Sequence, residues 1–260
     1  MSARHEDRAS HGRPAGAGGD GELWFYGHHA VAAALDNPLR PCRRLLCTTA
    51  ALARLGRLVQ RPGLAVEEVR PADLARVLPA DAVHQGVALL VGPLPRRPLD
   101  SLLAGLGTEA LVLLLDQIQD PRNLGAILRT AAALDVAGVV LPERRSAPLG
   151  GACAKAASGA LDMVPIVQVA NLGQAIEALQ GAGFWVVGLD AAAEPPLESL
   201  PYRPRRALVL GSEEKGLRRL VAERCDLSAR LVIAPRIESL NVSVAAGIAL
   251  YLLARGLPRT

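Results

Sequence analysis

Residues 110–130 read ALVLLLDQIQDPRNLGAILRT. Ala110 to Leu115 form a short apolar run without alternation, which marks a strand buried on both faces. A polar loop follows from Asp116 to Asp120, and Pro121 stops the extended chain. A helix is then expected to begin near Asn123, a residue suited to capping it. Runs of the same kind recur at Gly138–Leu141, Phe184–Leu189 and Ala207–Leu210, with weaker ones at Val164–Val169 and Leu231–Ile233. Non-alternating runs joined by helical stretches predict an α/β fold with a parallel sheet covered on both faces. Ligands of such sheets gather beyond the carboxyl ends of the strands, so chemistry is expected in the loops that follow these runs.

Upstream, Gly92-Pro93-Leu94-Pro95-Arg96-Arg97-Pro98 packs three prolines into six residues, which neither a helix nor a central strand tolerates. Residues 93–100 therefore read as a linker between a small α/β unit at 23–92 and a larger one at 101–260. In the small unit the pattern predicts a helix over Gly27–Leu35, strands at Arg44–Thr48, Ala65–Val69 and Gly86–Val91, a helical stretch reaching Gln60, and a helix opening at Pro71. Residues 1–22 mix charged residues with Gly and Ala and read as a disordered tail. A length of 260 residues suits two domains of roughly 100–150 residues each.

Composition narrows the function classes. Half the chain is hydrophobic and mean hydropathy is +0.24, which excludes a disordered regulatory chain. Aromatic residues make up only 3%, which argues against RNA binding through rows of stacked rings. Net charge is +4; lysine occurs only at Lys155 and Lys215, and the other 27 of the 29 basic residues are arginine. A phosphate-rich partner is allowed but not demanded. Cys42, Cys47, Cys153 and Cys225 form no CxxC pair and lie apart from the histidines, which argues against a metal site. Scattered thiols without a signal-like segment suit the reducing cytoplasm. The most apolar stretch, Val242–Ala254, is shorter than the ~20 residues a bilayer span requires, so no membrane association is expected.

Three loops carry the chemistry. In the first, Arg129 lies two turns into a helix otherwise rich in Leu, Ile and Ala. A buried or half-buried arginine is costly unless it meets an anion, so Arg129 either binds one or forms a structural ion pair with Asp116 or Asp120. The second loop is Gly211-Ser212-Glu213-Glu214-Lys215-Gly216-Leu217. It lacks the Gly-Lys-Ser/Thr of a triphosphate cradle, and its paired carboxylates would repel phosphate. No GxGxxG follows the first strand or this one, so NAD is a poor candidate. Gly211 permits close approach to an uncharged ring or ribose. The third is Glu238-Ser239-Leu240-Asn241-Val242-Ser243, where Ser239 is positioned to cap a long helix running to about Ala254 and Asn241 falls in its first turn.

Together the three loops resemble the signature motifs of the SPOUT superfamily of knotted RNA methyltransferases, in the TrmH-like 2′-O-ribose branch. Tyr26-Gly27-His28-His29-Ala30-Val31 and His84-Gln85-Gly86-Val87 resemble motifs of that family's small RNA-binding domain. The tandem layout is most similar to the bacterial 23S rRNA guanosine-2′-O-methyltransferase (RlmB) group. The resemblance implies a deep trefoil knot, a homodimer, and S-adenosylmethionine as cofactor. It implies cofactor contacts at Gly211, Leu231 and Leu240, and catalytic roles for Asn123, Arg129, Glu213 and Asn241. Structured RNA is the implied substrate, with rRNA favoured over tRNA by the full first domain; a non-catalytic RNA-binding protein on the same fold is the competing class. Arg40, Arg43, Arg44, Arg144, Arg145 and Arg203 are the candidate RNA contacts. Glu214 stands where the family usually has glycine, and Leu231-Val232-Ile233 replaces its usual Ile-Pro-Met, both at the implied cofactor pocket.

Overall fold

The computed structural model describes residues 21–212 and 216–255. The first unit runs β1 (Leu23–Tyr26), α1 (His28–Asp36), β2 (Cys42–Cys47), α2 (Thr49–Leu55), β3 (Ala65–Glu68), α3 (Pro71–Leu74) and β4 (Val87–Val91), with a 3-10 turn at Gly56–Val59. Its sheet has the order β1-β4-β2-β3, with β4 antiparallel to both neighbours and β2 parallel to β3. The opening strand β1 is an addition to the sequence reading.

The second unit runs α4 (Leu99–Ala104), β5 (Ala110–Leu115), α5 (Pro121–Ala133), β6 (Gly138–Pro142), α6 (Gly151–Ala157), β7 (Ile166–Val169), α7 (Leu172–Gly181), β8 (Trp185–Leu189), β9 (Arg205–Leu210), α8 (Arg219–Ala222), β10 (Leu227–Ala229) and α9 (Val242–Leu253). Its six strands are all parallel, in the order β10-β8-β9-β5-β6-β7. The two faces of β5 show why its run is apolar throughout. Leu111, Leu113 and Leu115 join the core under α5, α6 and α9, while Ala110, Val112 and Leu114 join the one under α7 and α8. On α5, Gly125 is dictated by packing: a Cβ there would stand 2.5 Å from the Cys153 carbonyl oxygen of α6.

Four expectations need correction. α5 starts two residues before Asn123, because the Asp120 carboxylate accepts the Arg122 N–H at 2.7 Å and Pro121 fills the first helical position. α9 is capped by Asn241, whose side-chain oxygen accepts the Ser243 N–H at 2.9 Å, and not by Ser239. The last strand is Leu227–Ala229 and not Leu231–Ile233; its neighbour β8 ends at Leu189, opposite Ala229, so later residues have no strand to pair with. The segment 93–100 is not all linker, since α4 begins at Leu99.

The two sheets share one continuous apolar core, in which Phe25, Val31 and Leu45 of the first unit merge with Leu128, Ala154 and Leu161 of the second. Arg40 is the polar element of this joint. It is buried and forms an ion pair with Asp162 at 2.7 Å, its guanidinium standing 5.0 Å over the Phe25 ring. Burial removes Arg40 from the candidate RNA contacts.

Candidate active site

In this strand order the chain turns outward in both directions from the β5–β9 pair, the point where an open parallel sheet forms its ligand crevice. The first two loops leave these adjacent strands, joined where the Asp116 N–H donates to the Leu210 carbonyl at 2.7 Å. The Asp116 carboxylate is buried beneath them and accepts from the Arg218 guanidinium at 2.7 Å and from the Arg218 backbone N–H at 3.3 Å. That hydrogen-bonded pairing holds the Arg218 guanidinium above its usual pKa. Arg218, which the sequence reading did not single out, therefore takes the ion-pair role considered for Arg129.

Arg129 is exposed on α5 and pairs with no carboxylate among the described residues. Asp116 is engaged by Arg218, and Asp120 caps the helix. The first and third loops meet directly: the Asn241 Nδ2 donates to the Asn123 Oδ1 at 3.2 Å. The opposite end of the same amide accepts from the Ser243 N–H and, at 2.6 Å, from the Ser243 hydroxyl. One side chain thus starts α9 and sets the loop at the head of α5. Glu213 and Glu214 lie outside the described residues.

A cavity of about 370 Å³ opens beyond β8, β9 and β10, and Gly211, Leu231 and Leu240 all line it. Its walls combine Leu189, Leu210 and Ile233 with the polar Asp190, Glu238 and Ser239. This donor set fits S-adenosylmethionine: apolar walls suit an adenine ring, and carboxylates suit its cationic methionine end. Leu231 and Ile233 face the cavity while Val232 is exposed, so the unusual tripeptide keeps an apolar wall. Gly211 has a nearer reason than ligand approach. A Cβ there would run into the Gly216 backbone, across a turn closed by Ser212 N–H to Gly216 O at 3.0 Å and Gly216 N–H to Ser212 O at 2.9 Å.

The remaining arginines separate. Arg144 and Arg145 lie in the loop after β6, on the carboxyl edge. Arg43 is exposed and 3.6 Å from Glu22, and Arg44 forms a two-pronged bond to Glu67 at 2.6 and 2.8 Å. Arg203 precedes β9 at the opposite edge of the sheet, 5.7 Å over the Trp185 ring, so it does not share the crevice. The two small-unit motifs meet α6: the Gln85 side-chain oxygen accepts from the His28 N–H at 3.0 Å and from the Lys155 ammonium at 2.9 Å.

Residues 110–251 match the sequence model described as SpoU rRNA Methylase family, and residues 24–97 match the one described as RNA 2′-O ribose methyltransferase substrate binding. The chain belongs to the SpoU rRNA methylase family. Among its SpoU relatives, the 23S rRNA (guanosine-2′-O-)-methyltransferase RlmB of Xylella fastidiosa is 38% identical over 235 residues, covering 88% of this chain and 94% of the relative. The AdoMet-bound rRNA methyltransferase of Sinorhizobium meliloti superposes with a TM-score of 0.78 at 25% identity, covering 92% of this chain and 89% of the other. The SpoU methyltransferase AviRb of Streptomyces viridochromogenes shares the fold, with a TM-score of 0.78 at 24% identity over 91% and 90% of the two chains. Among the described residues no helix is long and apolar enough to cross a membrane, and no group of three or more His, Cys, Asp or Glu is placed to hold a metal.

Proposed function

We propose that this SpoU chain is an S-adenosylmethionine-dependent RNA 2′-O-methyltransferase acting on a guanosine ribose of 23S rRNA. The observation that carries this reading is the convergence of Gly211, Leu231 and Leu240 on one cavity, beside the crevice where Asn123 meets Asn241. Bound S-adenosylmethionine supplies an electrophilic methyl group. The chain's own residues align and stabilise the nucleophile. Asn123 and Asn241 fix the loop that receives the ribose, and alignment of this kind removes a large entropic cost. The Arg129 guanidinium stabilises negative charge growing on the 2′-oxygen while water accepts the proton. The same reading keeps a catalytic role for Glu213, which lies outside the described residues.

The same reading assigns residues 23–92 to RNA binding, 93–100 to the link and 101–260 to the methyltransferase unit, with a deep trefoil knot in the latter. It also assigns a homodimer working in the cytoplasm. Val244, Ile248 and Tyr251 form an exposed apolar stripe along α9, at the spacing of one helical face, and a second copy would cover it. The test is mapping of 2′-O-methyl sites on total RNA after incubation with the pure protein and cofactor. A new 23S rRNA guanosine site that vanishes in Arg129→Ala and Arg129→Lys, with cofactor affinity retained, is the expected result. Turnover in the alanine variant would overturn the role of Arg129, and a site confined to tRNA would overturn the substrate.

A further inference from the structure

We infer that the methyltransferase unit carries its own RNA-backbone site, an arginine-walled cleft on the face of the sheet opposite the cofactor cavity. The inference rests on the proposed function, because it names where the strand flanking the target nucleotide runs. A cavity of about 730 Å³ opens beyond the carboxyl ends of β5, β6 and β7. Its wall takes Arg144 and Arg145 from the loop after β6, and Arg218, Arg219 and Arg224 from the segment around α8. Among the described residues, no carboxylate and no aromatic ring lines it.

The acidic partners of these arginines sit outside the wall. Arg218 pairs with Asp116 below, Arg219 with Glu223 at 2.8 Å, and Arg224 with Glu177 at 2.8 Å. Arg144 and Arg145 form no ion pair among the described residues, so the cleft keeps an excess of positive charge. Planar guanidinium groups match phosphate oxygens in pairs, and without a ring to stack a base the fitting ligand is backbone phosphate.

Two local features reinforce the assignment. Gln117 and Arg145 hold left-handed backbone, with φ of 63° and 62°, and both line the cleft. Such conformations are costly outside glycine and concentrate at functional sites. The ten-residue helix α7 also begins at the cleft; the Asn171 side chain accepts its Gly173 and Gln174 N–H groups, and its positive dipole end adds to the wall. Its Gly173 lets Arg224 lie flat against the helix, since a Cβ there would stand 2.8 Å from the Arg224 Cδ. Arg218 reaches from this cleft to Asp116 at the end of β5, so a strand held here arrives at the β5–β9 crevice.

The test uses full-length Arg144→Gln/Arg145→Gln and, separately, Arg224→Gln, with filter binding of protein-free 23S rRNA over a range of salt concentrations. Losing two phosphate contacts should lower the slope of log affinity against log salt by about 1.4–1.8, and losing one by about half that. KM for RNA should rise, while the calorimetric affinity for S-adenosylmethionine and the melting temperature stay at wild-type values. Unchanged slopes in both folded variants would overturn the cleft. A wild-type protein that binds cofactor but methylates no RNA would instead overturn the proposed function, and the salt slopes would still judge the cleft.

Discussion

Replacing Asp162 with alanine tests the joint between the two units. The Arg40 and Asp162 side chains are only 5% and 2% exposed, and their ion pair is 2.7 Å long. The same carboxylate accepts from the Asn37 amide at 3.1 Å, and Arg40 also donates to the Gly92 carbonyl at 3.2 Å. Without the carboxylate, the guanidinium is left as a buried charge without its counter-ion. Breaking such a pair costs about 3–5 kcal/mol. For a chain of this size each kcal/mol moves the melting temperature by about 2–4 °C, so a fall of roughly 6–20 °C is expected. Scanning calorimetry at neutral pH measures it, with Arg40→Met/Asp162→Leu as the second arm. Removing both charges together should recover most of the loss. A single variant melting within about 2 °C of wild type, or a double variant as unstable as the single, would refute the reasoning.

Asn241→Asp keeps a good helix cap but replaces the donor facing the Asn123 Oδ1 with an acceptor. Stability should change by less than about 1 kcal/mol while methyl transfer falls at least tenfold, read from melting curves beside initial rates. Gly211→Ala drives a methyl group into the Gly216 backbone and opens the turn, so calorimetry should show cofactor binding weakened at least tenfold. Burial pushes the Cys153 thiol up to about 12, and burial with the nearby Asp226 does the same for Cys225. Both stay protonated at pH 8, so Ellman's reagent should find them slow in the native protein and fast once it is unfolded.

What the sequence revealed follows physical lines. The run Ala110–Leu115 is a strand over those same six residues, because burial on both faces leaves no ambiguity of period. β1 is hard to see, since four residues at the end of a glycine-rich stretch are too short to show a period. Caps differ from the sequence expectation by two or three residues where several candidates stand close together: Asp120 against Asn123, and Asn241 against Ser239. Choosing between them depends on where the chain turns, which tertiary packing sets. Asn123 and Asn241 were legible as a pair of loops, but their contact joins positions 118 residues apart. Arg40 illustrates the opposite limit. Its sequence neighbours, Arg43 and Arg44, are exposed, and only the fold places Asp162 against it. The buried Asp116, beside a proline-stopped loop, was the available signal for Arg218.

The shared core bears on how the protein comes apart. A proline-rich segment separates the two sheets along the chain, yet Phe25 and Leu128 belong to one apolar cluster, so neither half has a complete interior by itself. The molecule should therefore melt in a single cooperative transition, and residues 23–92 expressed alone should expose a greasy face and aggregate. The division that the prolines mark in the sequence is one of topology, and folding cooperativity ignores it.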